Sequence, residues 1–153
     1  MIRVQHYTGD KFYRRKDLDV FAALSNGING SMIDTLRDKD PRDHIFVMRE
    51  NSKIIGWCSA SRLWSGDYGR DDSFYLSFFI ERKCRGRGLA KRFAAKLRQH
   101  IPEGNTVLGW HYVSVRRLMD RQYVEVIFRD NSTYSGWDRY RLLKKGAKHE
   151  TKA

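Results

Sequence analysis

The chain has 153 residues, 41% of them hydrophobic and 13% aromatic, which excludes a disordered polymer and leaves too little length for two ordinary domains. Thirty Lys and Arg against 18 Asp and Glu give a formal net charge of +12 and a pI near 10.0, so the expected company is anionic: nucleotide phosphates, nucleic acid or an acidic surface. No run approaches the roughly 20 apolar residues of a membrane span, the opening residues MIRVQHYTGDK lack the apolar centre of a secretory signal, and Cys58 and Cys84 have neither the number nor the spacing of a disulfide framework or zinc site. The expectation is a soluble, cytoplasmic protein with two free thiols and no metal: one domain over residues 1–143 and a basic tail over 144–153.

Residues 2–7 alternate well enough for a first strand, closed by Thr8, Gly9 and Asp10. Leu18, Val20, Phe21 and Leu24 recur at helical spacing, with Asn26-Gly27 and Asn29-Gly30 as stops. Ser31 is placed to cap a second helix over 32–37, and Asp40-Pro41 ends it, because the residue before proline is pushed out of the helical region. From His44 two β-rich runs are joined by the polar turn Glu50-Asn51-Ser52-Lys53, which predicts a hairpin. A polar loop over 65–73 leads to a strand over 74–80, whose nearly unbroken apolar character predicts burial on both faces.

After Gly86 and Gly88, Leu89, Phe93, Ala94 and Leu97 share one face of a helix that Pro102-Glu103-Gly104-Asn105 terminates. Residues 106–113 predict another strand, and Ser114 is placed to cap a short helix with Val115, Leu118 and Met119 on one face. Residues 122–128 and 137–143 read as a closing hairpin around Asp130-Asn131-Ser132. The order β-α-α-β-β-β-α-β-α-β-β, with no repeat and no linker, predicts an α+β (mixed α/β) fold: a mostly antiparallel central sheet with helices on both faces.

The stretch 74–98 stands apart. An apolar strand, a turn rich in Gly and Arg, and an amphipathic helix gather backbone N–H groups and the positive end of a helix dipole around one small volume suited to phosphate. Arg82, Lys83, Arg85, Arg87, Lys91, Arg92, Lys96 and Arg98 surround it; the other basic concentration, Arg139, Arg141, Lys144, Lys145, Lys148 and Lys152, reads most simply as a solvated end. The spacing is not that of a P-loop, a Rossmann fingerprint lacks its third glycine here, and a single Arg-Gly-Arg-Gly between folded elements is a poor RNA-binding repeat. A lone G-x-G more often marks nothing beyond a tight turn.

Arg85-Gly86-Arg87-Gly88-Leu89-Ala90 resembles the [QR]-x-x-G-x-[GA] acetyl-CoA motif of the GNAT N-acetyltransferase superfamily, with Ile80 as the apolar residue before the turn, and the element order from Ile2 to Leu143 agrees. The resemblance implies acetyl-CoA as co-substrate. It also implies a pyrophosphate held by the backbone of Arg85, Gly86, Arg87, Gly88, Leu89 and Ala90, and a pantetheine arm along the backbone of Phe78, Phe79 and Ile80. The strand that follows would splay away to leave a wedge, with Ser114 opening the helix beyond.

The implied reaction is direct attack of a small-molecule or protein amine on the thioester, which needs a route for the amine's proton and an acid for the leaving thiolate. Where many members carry a catalytic Glu this chain has Phe74, with Asp71 and Asp72 nearby in the loop; where they carry the acidic Tyr it has Arg121. His111 and Tyr112 are the candidate substitutes, because one of two successive strand residues faces the wedge, although packing explains both equally well. Glu81 adjoins Arg82 and Lys83 and reads as a solvated pair; Trp57, Trp64, Trp110 and Trp137 are scattered and read as core or rim. Two further readings stay open: a non-catalytic module on the same fold, and a nucleic-acid-associated protein using its basic surface. Net positive charge disfavours a polycationic acceptor unless Asp67, Asp71 and Asp72 receive it.

Overall fold

The computed structural model describes residues 1–12, 20, 40–62, 73–110, 113–122, 124–129 and 137–144. Strand β1 (Ile2–Thr8) runs into a one-turn helix α1 (Gly9–Phe12), where the sequence predicts only a turn. Gly9 makes this possible: a Cβ there would lie 2.2 Å from the Asp40 carbonyl oxygen, and its N–H donates to the Asp43 carbonyl at 3.0 Å. The helices expected over 18–24 and 32–37 lie outside the described residues, apart from Val20, which is helical.

Strands β2 (His44–Glu50) and β3 (Lys53–Arg62) form the expected hairpin. Asn51 and Ser52 have φ of 50° and 77°, the left-handed pair of a two-residue turn whose twist matches that of the strands. Strand β4 (Ser73–Ile80), a 3-10 turn (Arg82–Cys84), helix α2 (Ala90–His100), strand β5 (Thr106–Trp110), helix α3 (Val113–Asp120), and strands β6 (Val124–Phe128) and β7 (Trp137–Leu142) complete the described elements. The strand expected through 113 is cut short, because Val113 is already helical. Ser114 therefore lies inside the first turn of α3 and not at its cap. The β-branched side chain of Val113 favours a strand locally, and the helix overrides that preference. The turn expected at Asp130-Asn131-Ser132 and the tail over 145–153 lie outside the described residues.

The described strands form one seven-stranded sheet in the order β1-β2-β3-β4-β5-β7-β6, antiparallel everywhere except between β4 and β5. The last hairpin is turned so that β7, not β6, lies against β5. Helices α2 and α3 share one face: Phe93, Leu97 and Met119 pack with Phe46, Leu76, Val107 and Tyr140. The opposite face is buried too, with Ile45, Val47 and Trp57 fully covered, and β4 is buried on both sides through Leu76 and Ser77. Cys58 is a buried thiol of β3, and burial holds its pKa well above the ordinary range; Cys84 is a free thiol in the 3-10 turn. Among the described residues no helix is long and apolar enough to cross a membrane.

Candidate active site

Strands β4 and β5 run parallel only from Ser73↔Thr106 to Leu76↔Gly109, while β4 continues to Ile80 paired with β3 alone. Among the described residues the far edge of Ser77 to Ile80 therefore has no β5 partner, which leaves a wedge between the strands just below the glycine turn. The Glu81 N–H donates to the Ile55 carbonyl on β3 at 2.7 Å. Strand alternation then turns the N–H and C=O of Ile80 and Phe78 toward the wedge and those of Phe79 toward β3. Gly56 confirms the direction, since a Cβ on it would stand 2.7 Å from the Phe79 carbonyl oxygen. This narrows the expectation for 78–80: Phe78 and Ile80 present backbone to the wedge, and Phe79 does not.

The Ile80 carbonyl is already engaged. Arg85 Nε donates to it at 2.8 Å, and the Arg85 guanidinium lies 5.2 Å over the Phe79 ring. Arg85 thus clips the turn back onto the end of β4, a role that a point charge on a lysine would not fill. Beyond it Gly86 and Gly88 have φ of +81° and +71°, with Arg87 between them outside the left-handed region. Positive φ at alternate residues is the kind of backbone from which anion-binding nests of N–H groups are built. Nothing lies within 4 Å of a Cβ built on either glycine, so the requirement for glycine is conformational and the space beside the turn is open.

Leu89 caps α2 with no side-chain hydrogen bond, and the first turn of the helix contains no acidic residue. Among the described residues no side chain caps or opposes the positive end of the helix dipole. Leu89 is buried and anchors the turn, Ala90 keeps the first helical position small, and Arg82, Lys83, Lys91 and Arg92 are exposed around it. Arg87 pairs bidentately with Glu50 at the tip of the β2–β3 hairpin, at 2.6 and 3.4 Å, and this pairing holds the Glu50 carboxyl below its usual range. Glu81, expected to pair with its neighbours Arg82 and Lys83, is half-buried and stands 3.8 Å from Lys53 on β3.

On the proton-handling side, Phe74 is buried in the core, so β4 offers no carboxylate at that position. Arg121 is exposed in the turn after α3. His111 and Tyr112, with Asp71 and Asp72, lie outside the described residues; the first two are the whole connection between Trp110 and Val113.

One network escaped the sequence reading. Asp138 on β7 is 1% exposed and receives Arg116 Nε and a second guanidinium nitrogen from α3 at 2.8 and 2.9 Å, with the Tyr140 hydroxyl donating at 3.0 Å. Burial, and then the Asp138 carboxylate, raise the Tyr140 pKa well above that of a free phenol. Asp138 pairs with Gly109, so the network ties α3 to the sheet where the wedge begins. Partners 22 residues apart leave no local signal.

The family model described as acetyltransferase (GNAT) matches residues 6–116. The yncA protein of Salmonella typhimurium, solved with its cofactor acetyl-CoA, superposes with a TM-score of 0.67 at 11% identity over 100% of this chain and 98% of that one. An N-acetyltransferase from Staphylococcus aureus Mu50 gives 0.61 at 11% identity over 93% and 98%. A ribosomal-protein-alanine N-acetyltransferase from Brucella melitensis gives 0.60 at 13% identity over 93% and 99%. At such identities the likeness is one of fold. No curated protein sequence matches the chain.

Proposed function

Because the chain belongs to the acetyltransferase (GNAT) family, we propose that it transfers the acetyl group of acetyl-CoA to an amine by direct attack on the thioester. The observation that carries this reading is the end of β4–β5 pairing at Leu76↔Gly109, immediately beneath a turn with two left-handed glycines and an uncapped helix. The residues present fit the co-substrate. The amides of Arg85, Gly86, Arg87, Gly88, Leu89 and Ala90 would hold the pyrophosphate, with the dipole of α2 behind them. The open backbone of Phe78 and the N–H of Ile80 would hold the pantetheine amides as a neighbouring strand would. Phe79 would contribute its ring, through the Arg85 stack.

Bound there, acetyl-CoA supplies an activated acyl carbon with a thiolate leaving group. The chain's part is to orient the thioester in the wedge, admit a neutral amine and deliver a proton to the departing sulfur. His111 or Tyr112 takes that last role in this reading, since both connect the end of β5 to the start of α3. Ser114, in the first turn of α3, is assigned a contact to the co-substrate.

The test is thiol release from acetyl-CoA with a panel of small amines, peptides and nucleobases, on the wild-type chain and on His111→Ala and Tyr112→Phe. One of the two substitutions is expected to lower kcat by about 10²–10⁴-fold, with the KM for acetyl-CoA little changed. Full activity in both variants would remove them from the mechanism. Absence of thiol release with every acceptor, in a protein that still binds acetyl-CoA, would favour a binding module on this fold. The buried Phe74 and exposed Arg121 at the two usual proton-handling positions give that second reading its support.

A further inference from the structure

At the end of α2 remote from the glycine turn, three histidines from three elements meet: His6 on β1, His44 on β2 and His100 on α2. His6 Nε2 and His44 Nδ1 are 2.9 Å apart and share a hydrogen bond, while the His6 and His100 rings stack with centroids 3.6 Å apart and planes inclined by 16°. Phe46 tilts against both His6 and His100, and Phe74 meets His44 edge-on. We infer that this cluster is a proton-operated latch, which holds the last turn of α2 on the outer strand pair β1–β2 and releases it on acidification.

The geometry excludes a fully charged cluster. The His6–His44 hydrogen bond needs one nitrogen to donate and the other to accept, and because an imidazolium has no acceptor, at least one of the two rings must be neutral. Two charged rings stacked at 3.6 Å repel. From α2 the charged group facing the cluster is Lys96, a cation; from β1 and β2 the facing groups are the histidines themselves; from β4 it is Phe74, which is apolar. The nearest carboxylate in sequence, Asp43, is buried and accepts the Arg62 N–H at 2.8 Å. Among the described residues no carboxylate is bonded to any of the three rings. Nor do three such side chains converge as metal ligands would, since face-to-face stacking aims the ring nitrogens past one another.

Burial first, and then His100, His44 and Lys96, push the His6 pKa down to about 4; burial and neighbouring cations lower His44 and His100 as well. The sign follows. A histidine in the unfolded chain titrates near 6.5, so the stabilising effect of the neutral cluster is complete above that pH and is lost as pH falls toward the lowered values. All three rings are only half-buried, so protons reach them without global unfolding. The latch stands whether or not the glycine turn binds acetyl-CoA, because it lies at the opposite end of the helix.

The test is amide hydrogen exchange on the full chain, corrected for intrinsic rates, together with NMR titration of the imidazoles between pH 8 and 5. Opening at the amides of 97–101 should rise about tenfold between pH 7.5 and 5, allowing for screening of half-buried rings, and more than at β3. His6→Phe keeps a ring in the stack and removes the proton, and should abolish most of that rise. An equal rise in His6→Phe would overturn the latch. If that variant does not fold, the wild-type titration decides: His6 titrating well below 6.5 supports the latch, and three independent titrations near 6.5 refute it.

Discussion

The two ends of α2 are built on opposite principles. At its start, among the described residues, no side chain caps Leu89, the first turn carries no acid, and two left-handed glycines lead into it. At its end the chain supplies its own partners. The Ile101 N–H donates to the Leu97 carbonyl at 2.8 Å, Arg98 reaches the Leu143 carbonyl, and His100 stacks on His6. A helix end filled by its own side chains serves the fold, whereas one that stays open beside a wedge is organised for a ligand the chain does not contain.

That contrast predicts a separation of effects. Leu97, 3% exposed on the buried face of α2, sits toward the closed end. Leu97→Ala should cost about 2–4 kcal/mol of stability, read by urea unfolding, and leave acetyl-CoA affinity of the folded protein unchanged. A proportionate loss of affinity would show that the two ends are not separable. The smaller effect is at the open end. Glu50→Gln frees Arg87 and removes a carboxylate from beside the proposed phosphate site, so acetyl-CoA affinity should rise a few fold, with no measurable change in unfolding midpoint. Weaker binding instead would mean that Glu50 serves to hold Arg87 in place.

The same contrast explains what could be read in advance. The open end is local: Arg85 to Ala90 is one contiguous segment in which glycine has to supply positive φ, and the hairpin at Glu50 to Lys53 is equally local. Both follow from nearest-neighbour chemistry. The closed end and the wedge depend on distant partners. Arg116 meets Asp138 across 22 residues beside the wedge, and three histidines from separate elements form one cluster; even at the open end, the Arg87–Glu50 pair spans 37 residues and has no local signal. Nor does any residue of the last hairpin announce that β7 would insert beside β5. The acceptor side was illegible for a chemical reason, because Phe74 and Arg121 occupy the positions where the family resemblance leads one to seek acid and base.

Whether the glycine turn is a pyrophosphate cradle is decided by calorimetric titration of acetyl-CoA into the wild-type chain and into Gly88→Glu. Glutamate at a φ of +71° strains the turn by about 1–2 kcal/mol and sets a negative charge where the phosphates would lie. A cradle binds acetyl-CoA in the wild-type chain and at least ~100-fold more weakly in the variant, whose helices and sheet remain folded. Equal binding by the two proteins would rule the cradle out.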